Sequence, residues 1–184
     1  MRYTRQRGNT MELFKDYIRT EDNKEAVIES ENFINSRCGL YLYGKTGCGK
    51  SHLANEVFRY VRNQAQLSRQ AAFITMTELL SKMKSNLDYV DDIIDDHTYE
   101  LTHLFLDDIG SEKITEFTLE KMFIIIDRWT KKRNPKIFIT SNLNPSELEE
   151  KTSDRIVSRI YEICKIVQIK GNTDYRILKN KELK

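Results

Sequence analysis

The residues with the clearest capacity for chemistry form one contiguous run, Gly44-Lys45-Thr46-Gly47-Cys48-Gly49-Lys50-Ser51, with His52 directly behind it. The glycines let the backbone turn tightly and bring several N–H groups towards one anion. The helical segment that follows would aim its positive end at the same place. In that arrangement Lys50 reaches the β and γ phosphates of a nucleoside triphosphate, and the Ser51 hydroxyl ligates magnesium. The apolar run Leu40-Tyr41-Leu42-Tyr43 supplies the strand that such a loop hangs from. Residues Gly44 to His52 are therefore the expected nucleotide-binding segment. Cys48 has no assigned chemical part: it is either a small side chain or a thiol activated by the helix end.

Two further strand ends carry polar groups. Leu104-Phe105-Leu106-Asp107-Asp108 delivers two acids where a parallel strand would end beside the first loop. Asp107 would hold magnesium through water, and Asp108 would polarise the attacking water. Taken alone, the pair could equally be turn residues ahead of Gly110. Ile137-Phe138-Ile139-Thr140-Ser141-Asn142 ends the same way. Asn142 could orient water or contact the γ phosphate, with Thr140 and Ser141 assisting, or it could simply form a cap or turn. Arg155 and Arg159 lie four apart on one helix face, with Ile156 and Ile160 as a parallel apolar stripe. Such arginines either reach a neighbouring copy's γ phosphate or pair in solvent with Asp154 or Glu162.

These groups need strands and helices in alternation, and the chain supplies them. Phe14 to Phe33 reads as helical, with Ala26, Val27, Phe33 and Ile34 on one face. Strands are expected at Leu40–Tyr43, Phe73–Thr75, Leu101–Leu106, Lys136–Thr140 and Ile163–Ile169. Helices are expected from Lys50 to Arg62, from Glu78 with Thr77 as its cap, from Phe117 to Trp129, from Pro145, and from Asp154 to Tyr161. Leu79, Leu80 and Met83 supply the apolar side of the second of these. Asn86 to Asp96 is an acidic loop or frayed helix. This order predicts an α/β fold: a parallel sheet with helices on both faces.

The composition permits one domain and one core: 184 residues, 39% of them hydrophobic. Eight Phe, nine Tyr and one Trp argue against disorder. No apolar stretch approaches a membrane span. Residues 1–11, with Arg2, Arg5 and Arg7, read as a loose basic leader, and the polar start Met1 to Thr10 is not a signal peptide. Cys38, Cys48 and Cys164 are odd in number and widely spaced, which predicts a reduced, cytoplasmic protein without structural zinc. A net charge of +2 neither demands nor excludes nucleic acid. Where a GTPase would carry Asn-Lys-x-Asp, the chain has Thr140-Ser141-Asn142-Leu143-Asn144, which favours ATP. No arginine-bearing lid paired with an acceptor pocket suggests a small-molecule kinase.

Taken in order, the segments resemble the bacterial and phage helicase loaders of the DnaC/DnaI type, within the AAA+ ATPases. The IstB-type transposase-helper ATPases are close relatives. Gly49-Lys50-Ser51-His52-Leu53-Ala54 is similar to the family's loop with its trailing histidine. Thr75 with Glu78-Leu79-Leu80 resembles its second strand and following helix. Leu106-Asp107-Asp108-Ile109-Gly110 resembles its Walker B strand, and Ile139 to Leu143 its sensor-1 strand end. Ser158-Arg159-Ile160 is similar to its arginine-finger helix, which makes Arg159 the better finger and Arg155 the second. Gly171 to Arg176 resembles the closing element, although Asn172 and Thr173 precede Asp174.

The resemblance implies a three-layer α/β/α P-loop fold with strand order 5-1-4-3-2 and a reduced or absent C-terminal lid. It implies a leader at 1–11, an ATPase core at 12–178 and a tail at 179–184. It also implies a magnesium-dependent ATPase that forms a nucleotide-dependent homo-oligomer, holds single-stranded DNA and serves a replicative DNA helicase. The short stretches before Leu40 and after Ile169 are expected to leave a stand-alone core of phage or mobile-element type. That opens two alternatives: a transposase helper, or an adaptor that inhibits the host's helicase or loader. Lys82, Lys84, Lys113 and Lys131-Lys132-Arg133 could contact DNA phosphates, and Tyr89 and Tyr99 could stack on bases. Each could equally be ordinary surface or core.

Overall fold

The computed structural model describes residues 14, 17–64, 70–85, 101–132, 134, 136–171 and 174. The leader, the acidic stretch 86–96, Tyr89, Tyr99, Arg133, Pro135, Asn172, Thr173, Tyr175, Arg176 and the tail 179–184 lie outside them.

Helix α1 (Lys24–Phe33) leads into β1 (Gly39–Tyr43), the glycine-rich loop and α2 (Lys50–Asn63). Next come β2 (Ala71–Thr75), α3 (Met76–Ser85), β3 (His103–Ile109) and α4 (Glu116–Thr130). The chain continues with β4 (Lys136–Ser141), α5 (Pro145–Lys151), α6 (Asp154–Ile163) and β5 (Cys164–Gln168). The strands form one five-stranded sheet, ordered β2-β3-β4-β1-β5, and every neighbouring pair is parallel. Read from the other edge, this is the expected 5-1-4-3-2.

Side-chain alternation along the central strands divides the core in two. Leu40, Leu42, Phe105 and Phe138 face α1 and α2, where they meet Val27, Phe33, Leu53, Val57 and Val61. Phe105 stacks on Phe138 with centroids 5.6 Å apart, and Phe33 meets both edge-on. Tyr41, Leu104, Leu106, Ile137 and Ile139 face the other way, towards Met122, Ile126, Trp129, Ile156 and Ile160. The result is three layers, α/β/α, with the C-terminal strand ends gathered beside the loop after β1.

Two local expectations are corrected. The first helix does not run from Phe14. Residues 17–20 are irregular, and a turn closed by Asn23 precedes the helix. The Asn23 side chain accepts from the Thr20 N–H at 2.8 Å and donates to the Ile18 carbonyl at 2.8 Å, so it binds the backbone that a helix would otherwise use. The cap of α3 is not Thr77. The helix begins at Met76, and Thr75 Oγ1 accepts from the Glu78 N–H at 3.1 Å. The far end of α1 is tied to the sheet by the Lys136 ammonium, which donates to the carbonyls of Phe33, Ile34 and Ser36. No helix among the described residues is long and apolar enough to cross a membrane.

Candidate nucleotide-binding site

The loop Gly44–Gly49 leaves β1 and enters α2 through Gly49, the N-cap residue, at φ 101°. No side chain caps this helix, so its first N–H groups remain available to an anion. Gly47 has φ +80°, and the Asp174 carboxyl lies where a Cβ would stand, so only glycine fits. Tyr17 covers Gly49 in the same way, and its ring lies 5.5 Å from that of His52. His52 is exposed and packs on this tyrosine. Cys48 is buried, with its sulfur 3.8 Å from Lys50 Nζ. Lys45 and Thr46 are exposed on the loop, and Ser51 is half-buried in the first turn of α2.

Lys50 is buried, and burial holds its pKa below the usual lysine value. Its Nζ donates to the Gly44 carbonyl at 2.8 Å, the Lys45 carbonyl at 2.9 Å and Asn142 Oδ1 at 2.9 Å. The Asn142 amide also donates from Nδ2 to Asp108 Oδ1 at 2.8 Å, and Thr46 Oγ1 donates to its Oδ1 at 3.4 Å. Asn142 therefore joins three segments that are distant in sequence: the glycine-rich loop, the acidic strand end and the end of β4.

The two acids are organised by β4. Thr140 is fully buried. Its hydroxyl donates to Asp107 Oδ1 at 2.6 Å and accepts from the Asp108 N–H at 2.9 Å. The β3–β4 register shifts between Leu106 and Ile109, and Asp108 sits at φ 58°. Among the described residues it is the one non-glycine with positive φ. A bulge of this kind re-aims side chains at a site, and here it sends the Asp108 carboxylate to Asn142. Ser141 Oγ donates to the Ile109 carbonyl at 2.7 Å and accepts from the Leu143 N–H at 3.0 Å, holding the rim of the bulge.

These residues fit a magnesium-bound triphosphate. The helix end is uncapped, the lysine is buried beside it, and Ser51 and Asp107 offer oxygen donors of the class magnesium takes. The two arginines lie elsewhere, on α6 against α4. Arg155 stacks over Phe123 at 4.4 Å. Arg159 pairs with Glu162 at 2.8 Å and with Asp127 at 3.2 Å. Asp127 was not legible in the sequence as a partner, because it is 32 positions away and meets Arg159 only through α4–α6 packing. Glu112, buried below Gly110, was missed as well. An acid four residues after Asp108 was the available signal.

The lysines proposed for DNA are partly engaged. Lys82 pairs with Glu78 at 2.9 Å and Lys131 with Asp127 at 2.6 Å. Lys84 lies over the Phe117 ring at 5.8 Å. Lys132 donates to the Leu101 carbonyl at 2.8 Å, and Lys113 is exposed.

A 163-residue stretch is 28% identical to the chromosomal replication initiator protein DnaA of Streptococcus thermophilus, covering 82% of this chain and 34% of that protein. A 158-residue stretch is 25% identical to the replicative helicase loader DnaC of Buchnera aphidicola, covering 80% of this chain and 62% of the loader. The chain thus spans only part of the length of these relatives. The crystal structure of the DnaC helicase loader superposes with TM-score 0.71 at 23% identity, covering 86% of this chain and 96% of that one, a likeness of fold. The relationship is therefore wider than the DnaC/DnaI type named from the motifs, since the initiator matches alongside the loaders. Residues 9–166 match the model of the bacterial DnaA ATPase domain, and the chain belongs to that family, as an AAA+ ATPase domain related to the DnaA, DnaC and DnaI replication proteins.

Proposed function

We propose that this chain is a magnesium-dependent ATPase core, at residues 12–178, that assists placement of a replicative DNA helicase on single-stranded DNA. One observation carries the ATPase reading: Asn142 hydrogen-bonds Lys50 and Asp108 together. The cation that would meet the phosphates and the carboxylate that would polarise water are thereby registered by one amide. The triphosphate lies along Gly44–Ser51, with Lys50 at its β and γ phosphates. Magnesium, held by Ser51 and Asp107, would neutralise phosphate charge. Asp108 orients the attacking water and takes up its proton. A neighbouring protomer presents Arg159, or in second place Arg155, to the γ phosphate. Arg159 exchanges Glu162 and Asp127 for that phosphate; its pair with the exposed Glu162 is easily given up, and the half-buried Asp127 keeps Lys131 as a partner. Head-to-tail stacking of this kind builds a ring or spiral.

The helicase and DNA rest on the resemblance and on what the loader relatives are. The family match to an initiator's ATPase domain favours a second reading, a part in replication initiation. The test mixes the protein with Mg·ATP, single-stranded DNA and a replicative helicase, then measures complex mass, helicase loading and ATP turnover. Wild type should form the ternary complex. Asp108→Asn should keep nucleotide and lose about a hundredfold or more in turnover. Arg159→Ala should lose turnover in the assembled state. Absence of helicase from every complex sinks the loader reading, and an Arg159→Ala protein that assembles and hydrolyses like wild type sinks the finger.

A further inference from the structure

The turn after Asp108 is held by two side chains with no part in the site described above. Gly110 stands at φ +88°, with Leu143 and Leu148 pressed against it. Its N–H donates to both Glu112 carboxylate oxygens, at 3.1 Å each. Its carbonyl accepts from Lys151 Nζ at 2.6 Å. The same turn is closed from inside: Ser111 Oγ donates to the Asp108 carbonyl at 2.9 Å. Gly110 is thus gripped through the peptide groups on both sides of it, by an acid at the 109–110 N–H and a base at the 110–111 carbonyl.

The placement of the base matters. Lys151 is in the last turn of α5, which begins three residues after Asn142. That helix is locked at its start by a capping box, in which Asn144 accepts from the Glu147 N–H and Glu147 accepts from the Asn144 N–H. The segment 142–151 is therefore hydrogen-bonded to the 108–112 turn at two points. Asn142 bonds the Asp108 carboxylate at one end, and Lys151 bonds the Gly110 carbonyl at the other. Asp108 needs such support. A left-handed backbone at a residue with a Cβ costs about 1–2 kcal/mol and persists only where its surroundings hold it. Glu112 is itself buried, and burial raises its pKa, so the carboxylate is kept there against a desolvation cost.

We infer that Glu112 and Lys151 are positioning residues: by clamping the two peptide groups that flank Gly110 they fix the Asp108 carboxylate for water activation, and so set the rate of hydrolysis rather than the affinity for nucleotide. The inference rests on the ATPase reading above. A loosened Asp108 loses alignment, and misplacement of about 1 Å costs up to a hundredfold in rate. Nucleotide binding draws on the loop and Lys50, which the clamp does not touch.

The experiment compares Lys151→Met, Lys151→Arg and Glu112→Gln with wild type in the full chain, with magnesium and single-stranded DNA. It measures kcat, KM, ATP affinity by calorimetry and the melting temperature. Lys151→Met should lower kcat by about tenfold to a hundredfold, with ATP affinity within about threefold. Lys151→Arg should restore much of the rate. Glu112→Gln keeps one acceptor for the Gly110 N–H but removes the charge opposite Lys151, and should fall between. The double variant Asp108→Asn, Lys151→Met should be no slower than Asp108→Asn alone, because both act through one carboxylate. Unchanged kcat in Lys151→Met, equal losses in kcat and affinity, or a further loss in the double variant would each overturn the clamp. A wild type that binds ATP and turns none over overturns the hydrolysis reading and the clamp with it, an outcome distinct from a hydrolysing wild type matched by Lys151→Met.

Discussion

Thr140→Val tests whether one buried hydroxyl organises both acids. The substitution replaces the hydroxyl by a methyl group of similar size. It removes the donor to Asp107 Oδ1 at 2.6 Å and the acceptor for the Asp108 N–H at 2.9 Å. A hydrogen bond to a charged group contributes about 1.5–3 kcal/mol, and an N–H left unpaired away from water costs about 1–3 kcal/mol. The two losses share one oxygen and do not add fully, so about 3 kcal/mol is expected. In a chain of this size that lowers the melting temperature by about 6–12 °C. Thr140→Ser is the control. It keeps both bonds and loses one methyl, about 0.8 kcal/mol, or about 2–3 °C. Thermal unfolding followed by circular dichroism reads both variants, and Mg·ATP titration reads the site. Thr140→Val should also raise the magnesium requirement, since Asp107 is freed to rotate. If Thr140→Val melts no lower than Thr140→Ser, the hydroxyl does not hold the acids as argued.

Two more outcomes follow from particular residues. Gly47→Ala should abolish the shift in melting temperature that ATP produces in wild type, because φ +80° is strained for alanine and its Cβ meets the Asp174 carboxyl; an undiminished ATP shift would refute it. His103 is buried against Phe33 and near the Lys136 charge, and its pKa is lowered from 6.5 to about 4. Between those values the unfolded chain binds a proton that the folded chain refuses, so stability falls as pH drops from about 6.5 to about 4. With allowance for solvent screening the loss is roughly 2 kcal/mol. Denaturant unfolding across that range should show it in wild type and not in His103→Gln, and equal slopes in the two would refute the assignment.

The phosphate loop was legible because everything it needs is contiguous. Glycines at fixed offsets, a strand before and a helix after are written within about one turn of chain, and local backbone preference does the rest. The parallel sheet with helices on both faces followed from the alternation of elements and the apolar strands, whereas the strand order came with the family resemblance. The start of α1 and the cap of α3 were misjudged because Asn23 and Thr75 choose among nearby backbone partners at little difference in energy.

What only the tertiary structure decided is how the distant groups meet. An unbroken strand turns consecutive side chains to opposite faces, so nothing in Asp107-Asp108 as a string says that the Asp107 carboxylate and the Asp108 N–H would share the Thr140 hydroxyl. That requires the β3–β4 register and its shift after Leu106. The joining of Lys50 to Asp108 through Asn142 requires β1 to pair with β4, Tyr43 opposite Ser141. The pairing of Arg159 with Asp127 and the grip of Lys151 on Gly110 likewise depend on the packing of elements distant in sequence. Local spacing determined which ligand this chain is built to hold. Long-range register, set by burial of the sheet's two faces, decided which side chains are aimed at it.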